Sequence, residues 1–349
     1  RRNGWNATLL AKGAMGLVYR GRHAATKEAV VAKLELVQPD KVASQPGRQR
    51  VHVDYEGEGR IAISSAQGSR TCVLEDNGLT LQRLMGERDA LRRLSLQNVE
   101  EAVGYQGQHF LLVGGYLCSA MYMDYVDEAF PLNVLLTVPL KQERKYAILH
   151  SLGRALEKME MHKVVHKDLK PAHVMVFPDN AVRLVDFGLS RVEEYNPLPG
   201  DPPDVAVLLN EDIRHPGSMV GTLGYCPPDE AFYGKATTAV DIFSYGMIAH
   251  EVLTGLTPYF LRIQQWQKQL DGTLTYAESD RQEMVKEVRA ACLPEIVAVG
   301  MGECIYPEPR RRSCRLLMDV CGTLAGDARA YEVQGKEEEQ ALTLPYGKV

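Results

Sequence analysis

An α+β fold in two parts is predicted for this chain, a small strand-rich part followed by a larger, mainly helical one. Three observations carry that expectation. Residues 9 to 36 contain "LVYRGRH" and "AVVAKLEL", runs of valine, leucine and tyrosine at strand-like spacing joined through a glycine-rich turn. Between 143 and 160, Ile148, Leu152, Ala155, Leu156 and Met159 trace one apolar stripe of a helix. The stretch "DIFSYGMIAHEVLTG" then reads as a further helix stopped by Gly255 and Pro258. At 349 residues the chain is long enough for two lobes.

The remaining elements follow in order. Residues 38 to 80 are rich in glycine, serine and charge but include the alternating pieces "VHVDY" and "RIAIS", so this segment is expected to be an inserted loop with some strand. From Leu81 to Leu94, Leu84, Leu91 and Leu94 recur near helical spacing among charges and predict a partly exposed helix that carries Glu87. No fixed-period repeat is visible. From residue 325 on, an acidic block and weak hydrophobicity predict a solvated or loosely docked tail. The expected layout is a first lobe over 1–126, holding the insertion, a second lobe over 127–324, and a tail over 325–349.

Composition narrows the function. A net charge of -5 argues against the broad basic surface that holds nucleic acid. The longest apolar run, residues 110 to 123, is short and glycine-rich, so no membrane span is expected. Seven cysteines without a CxxC pair argue against a zinc module and favour buried reduced thiols, with a disulfide among Cys304, Cys314 and Cys321 as the alternative. Compartment is left open: cytoplasm is the default, and secretion is compatible with the sequence.

One stretch concentrates chemistry: "VVHKDLKPAHVMVFPDNAVRLVDFG", residues 164 to 188. Moving a phosphoryl group from ATP requires cations on the triphosphate, carboxylates for a divalent metal and one carboxylate beside the acceptor hydroxyl. Asp168 can orient or receive the acceptor proton, and Lys170 can balance charge on the moving group. Asp186 can hold the metal, with Gly188 letting the backbone turn close to phosphates. Taken singly, each aspartate would be read as an exposed surface residue.

Taken together, "HKDLKPAH", "DFG", "GTLGYCPPDE", "DIFSYG" and Arg312 resemble the eukaryotic protein kinase family in order and spacing across nearly the whole chain. The resemblance implies a bilobal protein kinase fold with a small antiparallel-sheet first lobe, a larger helical second lobe and ATP between them. "AKGAMGLV" is similar to the family's glycine-rich loop, with Gly13, Gly16 and Val18 kept and Ala11 in the first glycine position. It implies Lys33 on the α and β phosphates and Glu87 as its helix partner. Met123 would be the gatekeeper, the backbone from Asp124 to Val126 the adenine hinge, and Val18, Val31 and Met175 the apolar walls. Lys170 and Thr222 are similar to the serine/threonine branch, which implies protein serine or threonine hydroxyls as acceptors. Asp229 and Arg312 stand where the family has a structural buried ion pair.

His173 departs from the family, which has asparagine there as a second metal ligand. An imidazole suits manganese or zinc better than magnesium, so the cofactors implied are ATP with Mg2+ or Mn2+, held by Asp186 and His173. A protonated ring would repel the metal, so activity is expected to fall at low pH. The alternatives are that His173 only packs, or that the protein is a pseudokinase that binds nucleotide or acts as a scaffold. The segment from Gly188 to Gly221 is long and carries Ser190, Ser218 and Thr222 as candidate phosphosites, with Lys167 as a charge that could attract such a phosphate. The insertion and this loop leave room for a regulatory protein partner.

Overall fold

The computed structural model describes residues 5–13, 16–23, 28–42, 47–66, 68–76, 78–193, 198, 205, 208–209, 221–222, 224–227, 237–256, 278–291, 293–306 and 312–326. Ser218, Asp229 and the tail beyond 326 lie outside these residues. The expected α+β fold is present: an antiparallel sheet and one helix form the first lobe, and helices dominate the second.

Eight strands make the first sheet: β1 (Trp5–Gly13), β2 (Gly16–His23), β3 (Ala29–Lys41), β4 (Arg48–Gly57), β5 (Arg60–Ser65), β6 (Gly68–Val73), β7 (Tyr105–Val113) and β8 (Tyr116–Asp124). Their order is β1-β2-β3-β8-β7-β4-β5-β6, with every neighbouring pair antiparallel. The β1–β2 turn brings backbones close, because a Cβ on Gly16 would strike the Leu34 carbonyl and lie 2.9 Å from Glu35 Cγ. Gly16 also has φ +150, a conformation side chains disfavour, which fixes glycine at this position.

The segment expected as an inserted loop is mostly strand. β3 runs on to Lys41, and β4 pairs with the outer edge of β7, so β4 to β6 enlarge the sheet. Alternation along β5 turns Ile61 and Ile63 inward to full burial, where they join Val37, Val51, Tyr55 and Leu117. Burying two isoleucines contributes about 1.5–3 kcal/mol each. This cluster packs on Leu81, Leu84 and Met85 of α1 (Leu79–Leu96). Asp76 starts that helix by accepting the amides of Gly78 at 3.0 Å and Thr80 at 2.7 Å.

After β8 the chain enters the helical lobe through β9 (Phe130–Pro131) and α2 (Leu132–Leu135). α3 (Gln142–Met161) and α4 (Thr238–Thr254) match the two predicted helices and form its centre. α4 is buried over most of its surface and ends at Gly255, whose φ of 70 and amide bond to Glu251 O make the helix stop. α5 (Glu278–Ala290), α6 (Glu295–Cys304) and α7 (Arg315–Gly326) complete the lobe. Cys304, Cys314 and Cys321 are buried free thiols, so the disulfide alternative does not hold and the reduced expectation does. Among the described residues no helix is long and apolar enough to cross a membrane.

Small residues set the helix spacing. A Cβ on Gly246 of α4 would collide with Ile305 and lie 2.7 Å from Cys304 Cβ at the end of α6. Gly246→Ala is therefore expected to cost about 1–3 kcal/mol by overpacking. Urea unfolding of the variant checks this; an unchanged midpoint would contradict the packing account.

Candidate active site

The site grows from one buried carboxylate. β10 (Val164–Val165) leads into His166, Lys167 and Asp168, and this loop hangs on Asp241 in the first turn of α4. Asp241 accepts the His166 amide at 2.6 Å and the Lys167 amide at 3.0 Å, satisfying both in the interior. Burial pushes the Asp241 carboxyl up to about 6 against the pull of His166 and these amides. His166 Nε2 donates to Val185 O at 3.1 Å, and its ring packs on Phe187 with centroids 4.7 Å apart. The loop is thereby tied to the segment that carries Asp186.

Asp168 sits within a polar triangle. Lys170 Nζ donates to Asp168 Oδ2 and to Thr222 Oγ1, each at 2.8 Å, and Thr222 Oγ1 donates to Asp168 Oδ1 at 2.5 Å. His173 follows on a 3-10 turn, Pro171–His173, that precedes β11 (Val174–Val176). Its Nδ1 lies 2.8 Å from the Asp168 carbonyl, which can only accept, so Nδ1 carries the proton. The neutral ring then aims the Nε2 lone pair at Asp186 Oδ2, 3.3 Å away. Burial lowers the His173 pKa, more than Asp186 raises it, and so favours the neutral ring.

Two acceptors at that separation face each other unfavourably unless a proton or a metal cation lies between them. Cis ligands around a divalent ion at about 2.1 Å lie about 3 Å apart. Among the described residues no group of three His, Cys, Asp or Glu side chains could hold a metal, so this pair could bind a divalent ion only with oxygens from outside the protein, such as phosphate or water. Asp186 holds φ +59, a left-handed conformation that aspartate tolerates at a cost on the order of 1–3 kcal/mol. Burial works to raise its pKa, yet the Lys33 ammonium, helped by the Gly188 amide, prevails and holds it below the usual carboxylate range. Its side chain is 48% exposed, so it opens to the cleft.

From the other lobe, Lys33 on β3 completes the set. Its Nζ donates to both Glu87 oxygens at 2.9 Å and lies 3.6 Å from Asp186 Oδ1. Burial draws the Lys33 pKa down, but Glu87, Glu35 and Asp186 together raise it above the ordinary lysine value. An unbroken run of contacts thus joins Lys33, Asp186, His173, Asp168, Lys170 and Thr222.

The other expected site residues are distributed around this run. Across β1 and β2, Ala11 faces Val18 and Gly13 faces Gly16, while Val18 faces Lys33 across β2 and β3. Val31 faces Met123 across β3 and β8, and Asp124 donates its amide to Gly104 O at 2.9 Å. Val126 packs on the main core, and Met175 stands in the second lobe on β11, facing Pro131 of β9. A cavity of about 430 Å3 lies elsewhere, behind α1, between Val51, Leu81, Met85, Phe110 and Leu208.

Several expectations need correction. Ser190 is buried and donates to Phe187 O at 2.6 Å, so it is a poor phosphosite. Thr222 is engaged with Asp168 and Lys170. Arg312 is buried, donates to Tyr306 O at 2.7 Å and lies over the Phe243 ring, while its expected partner Asp229 is outside the described residues. Sequence reasoning also missed Glu35, Arg83 and Asp241. The signal for Glu35 was its place two residues after Lys33 on one strand, which puts both on the same face. For Arg83 it was the four-residue spacing to Glu87 on one helix.

Residues 71–329 match the protein kinase domain family. The chain is similar to serine/threonine-protein kinase PknB of Mycobacterium leprae, 27% identical over 138 residues, which is 39% of this chain and 20% of the relative. It is similar to the probable serine/threonine-protein kinase PknB of Lactococcus lactis, 22% identical over 228 residues, 63% of this chain and 32% of the relative. Receptor-like kinase TMK4 of Arabidopsis thaliana is 25% identical over 289 residues, 76% of this chain and 28% of the relative. The matched stretches thus span about a fifth to a third of these relatives. The family match begins after Lys33 and the glycine-rich hairpin, which the fold brings against the matched part.

Lys167, with φ +68, precedes Asp168. Burial lowers its pKa from 10.5 to about 8, helped by Arg191. Between these two values the unfolded chain binds the proton and the folded chain does not, so this group makes stability rise with pH across pH 8 to 10.5. In 13C-lysine-labelled protein, NMR titration should give one lysine a midpoint near 8, lost in Lys167→Met. A Lys167 midpoint above 10 would contradict its burial.

Proposed function

Because this chain belongs to the protein kinase family, we propose that it transfers the γ-phosphoryl group of ATP to serine or threonine hydroxyls of proteins. The observation that carries this reading is the contact run from Lys33 through Asp186 and His173 to Asp168. It draws charge from both lobes to one line, which is what positioning a triphosphate against an acceptor requires.

Each residue has a task that its environment supports. Lys33, kept charged by its carboxylate partners, holds the α and β phosphates, and Glu87 fixes its direction. The glycine-rich hairpin at Gly13 and Gly16 lets backbone approach the phosphates, with Ala11, Val18, Val31, Met123, Val126 and Met175 around the adenine and the Asp124 region as its hinge. Asp168 accepts the hydroxyl proton or orients the hydroxyl, and Lys170 balances charge on the moving group. The Lys170 and Thr222 contacts to Asp168 support a serine or threonine acceptor. A divalent metal bound by Asp186 and His173 would neutralise phosphate charge. The nitrogen donor favours Mn2+ relative to Mg2+ when compared with an all-oxygen site.

A two-metal assay tests this reading. With ATP and a basic protein substrate, incorporation of labelled phosphate should fall by roughly 10²–10⁴-fold in Asp168→Ala, the range for losing an acid–base group. His173→Asn should raise the Mg2+ rate relative to the Mn2+ rate. No incorporation with either metal would overturn the kinase reading and favour a scaffold. An unchanged metal ratio would remove His173 from the metal site.

A further inference from the structure

Glu35 is 2% exposed, yet a free carboxylate does not belong in an interior without cations. Its Oε1 lies 2.8 Å from Lys33 Nζ, an ion pair and not an aligned hydrogen bond. Its Oε2 meets Arg83 Nη2 from α1. Arg83 Nη1 also donates to Gly188 O at 3.2 Å, two residues beyond Asp186. One guanidinium therefore touches the lysine strand through Glu35 and the Asp186 turn directly. Because Arg83 stands four residues before Glu87, it does so on the same face of the same helix.

The charges close a loop. Lys33 bonds Glu87, the helix carries Glu87 to Arg83, Arg83 bonds Glu35, and the strand returns Glu35 to Lys33. Lys33 alone would face three carboxylates, Glu87, Glu35 and Asp186, and Arg83 supplies the second positive charge. Without it, Glu35 would compete with Glu87 for Lys33 in a site too dry to screen them. The neighbouring contacts hold the helix in the same place. Gln82 Nε2 donates to Leu208 O at 2.7 Å, and a Cβ on Gly86 would lie 3.0 Å from Ser190 O.

We propose that Arg83 and Glu35 are positioning residues for phosphoryl transfer. They set the seat of α1 and tie it to the Asp186 turn, so that Glu87 meets Lys33 and Asp186 faces the phosphates. The proposal rests on the kinase reading for its effect on turnover, and on geometry alone for its effect on α1. It differs from a role in folding, because it acts on the distance between groups that hold nucleotide.

The test uses the full chain with Arg83→Met, Arg83→Lys, Glu35→Gln and the double variant Arg83→Met/Glu35→Gln. Arg83→Met should lower kcat by roughly 10²-fold, the scale for misplacing a site by about 1 Å, and raise the KM for ATP while leaving the KM for protein substrate unchanged. Removing the stranded carboxylate should restore part of that loss, so the double variant should be faster than Arg83→Met. Arg83→Lys should fall between, since a point charge can hold Glu35 but cannot also reach Gly188 O as a fork. Amide hydrogen exchange over residues 81–90 should quicken in Arg83→Met. Wild-type kcat and unchanged exchange in Arg83→Met would overturn the proposal, as would a double variant no faster than the single one. If the wild-type chain transfers no phosphate, the kinase reading fails, and the exchange comparison alone then decides whether Arg83 seats the helix.

Discussion

The ammonium of Lys33 is the constraint around which the rest is arranged. It is buried between lobes, and a buried cation is tolerated only when partners surround it. Glu87, Glu35 and Asp186 meet it from a helix, its own strand and the second lobe. Removing any one partner would leave a charge with less compensation in a region where water does little screening, so the three elements are held to one relative position. Buried ion pairs of this kind are weak arguments for stability. They are strong arguments for geometry, because the charges tolerate few other arrangements.

Two features keep that geometry in place from behind. On the second lobe, Asp241 holds the His166–Asp168 loop by its amides, so Asp168 is oriented by backbone anchoring as well as by side-chain contacts. On the first lobe, β4 to β6 pack Ile61 and Ile63 against α1, the helix that carries both Arg83 and Glu87. The added strands thus bear on the site through the helix they cover.

The sequence made some of this legible and hid the rest for identifiable reasons. The helical stripe of α3, the buried run of α4 with its Gly255 stop and the first hairpin are local patterns, and the fold follows them. "VHVDY" and "RIAIS" could be read as strands, but their place beside β7 could not, because antiparallel register depends on pairings far apart in the chain. Lys33 and Glu87 could be paired only through family resemblance, being separated by 54 positions. Glu35 and Arg83 carry no local mark of burial, since burial is a property of the whole fold. The histidine at 173 was conspicuous in the sequence. Which nitrogen it presents follows only from the Asp168 carbonyl beside it.

The most direct measurement is a crystal of the protein grown with ADP and Mn2+, with anomalous diffraction used to find the metal. The account predicts a manganese peak about 2.1–2.3 Å from both Asp186 Oδ2 and His173 Nε2, with the nucleotide phosphates beside Lys33 Nζ. A nucleotide bound away from Lys33, or manganese bound without either side chain, would contradict it.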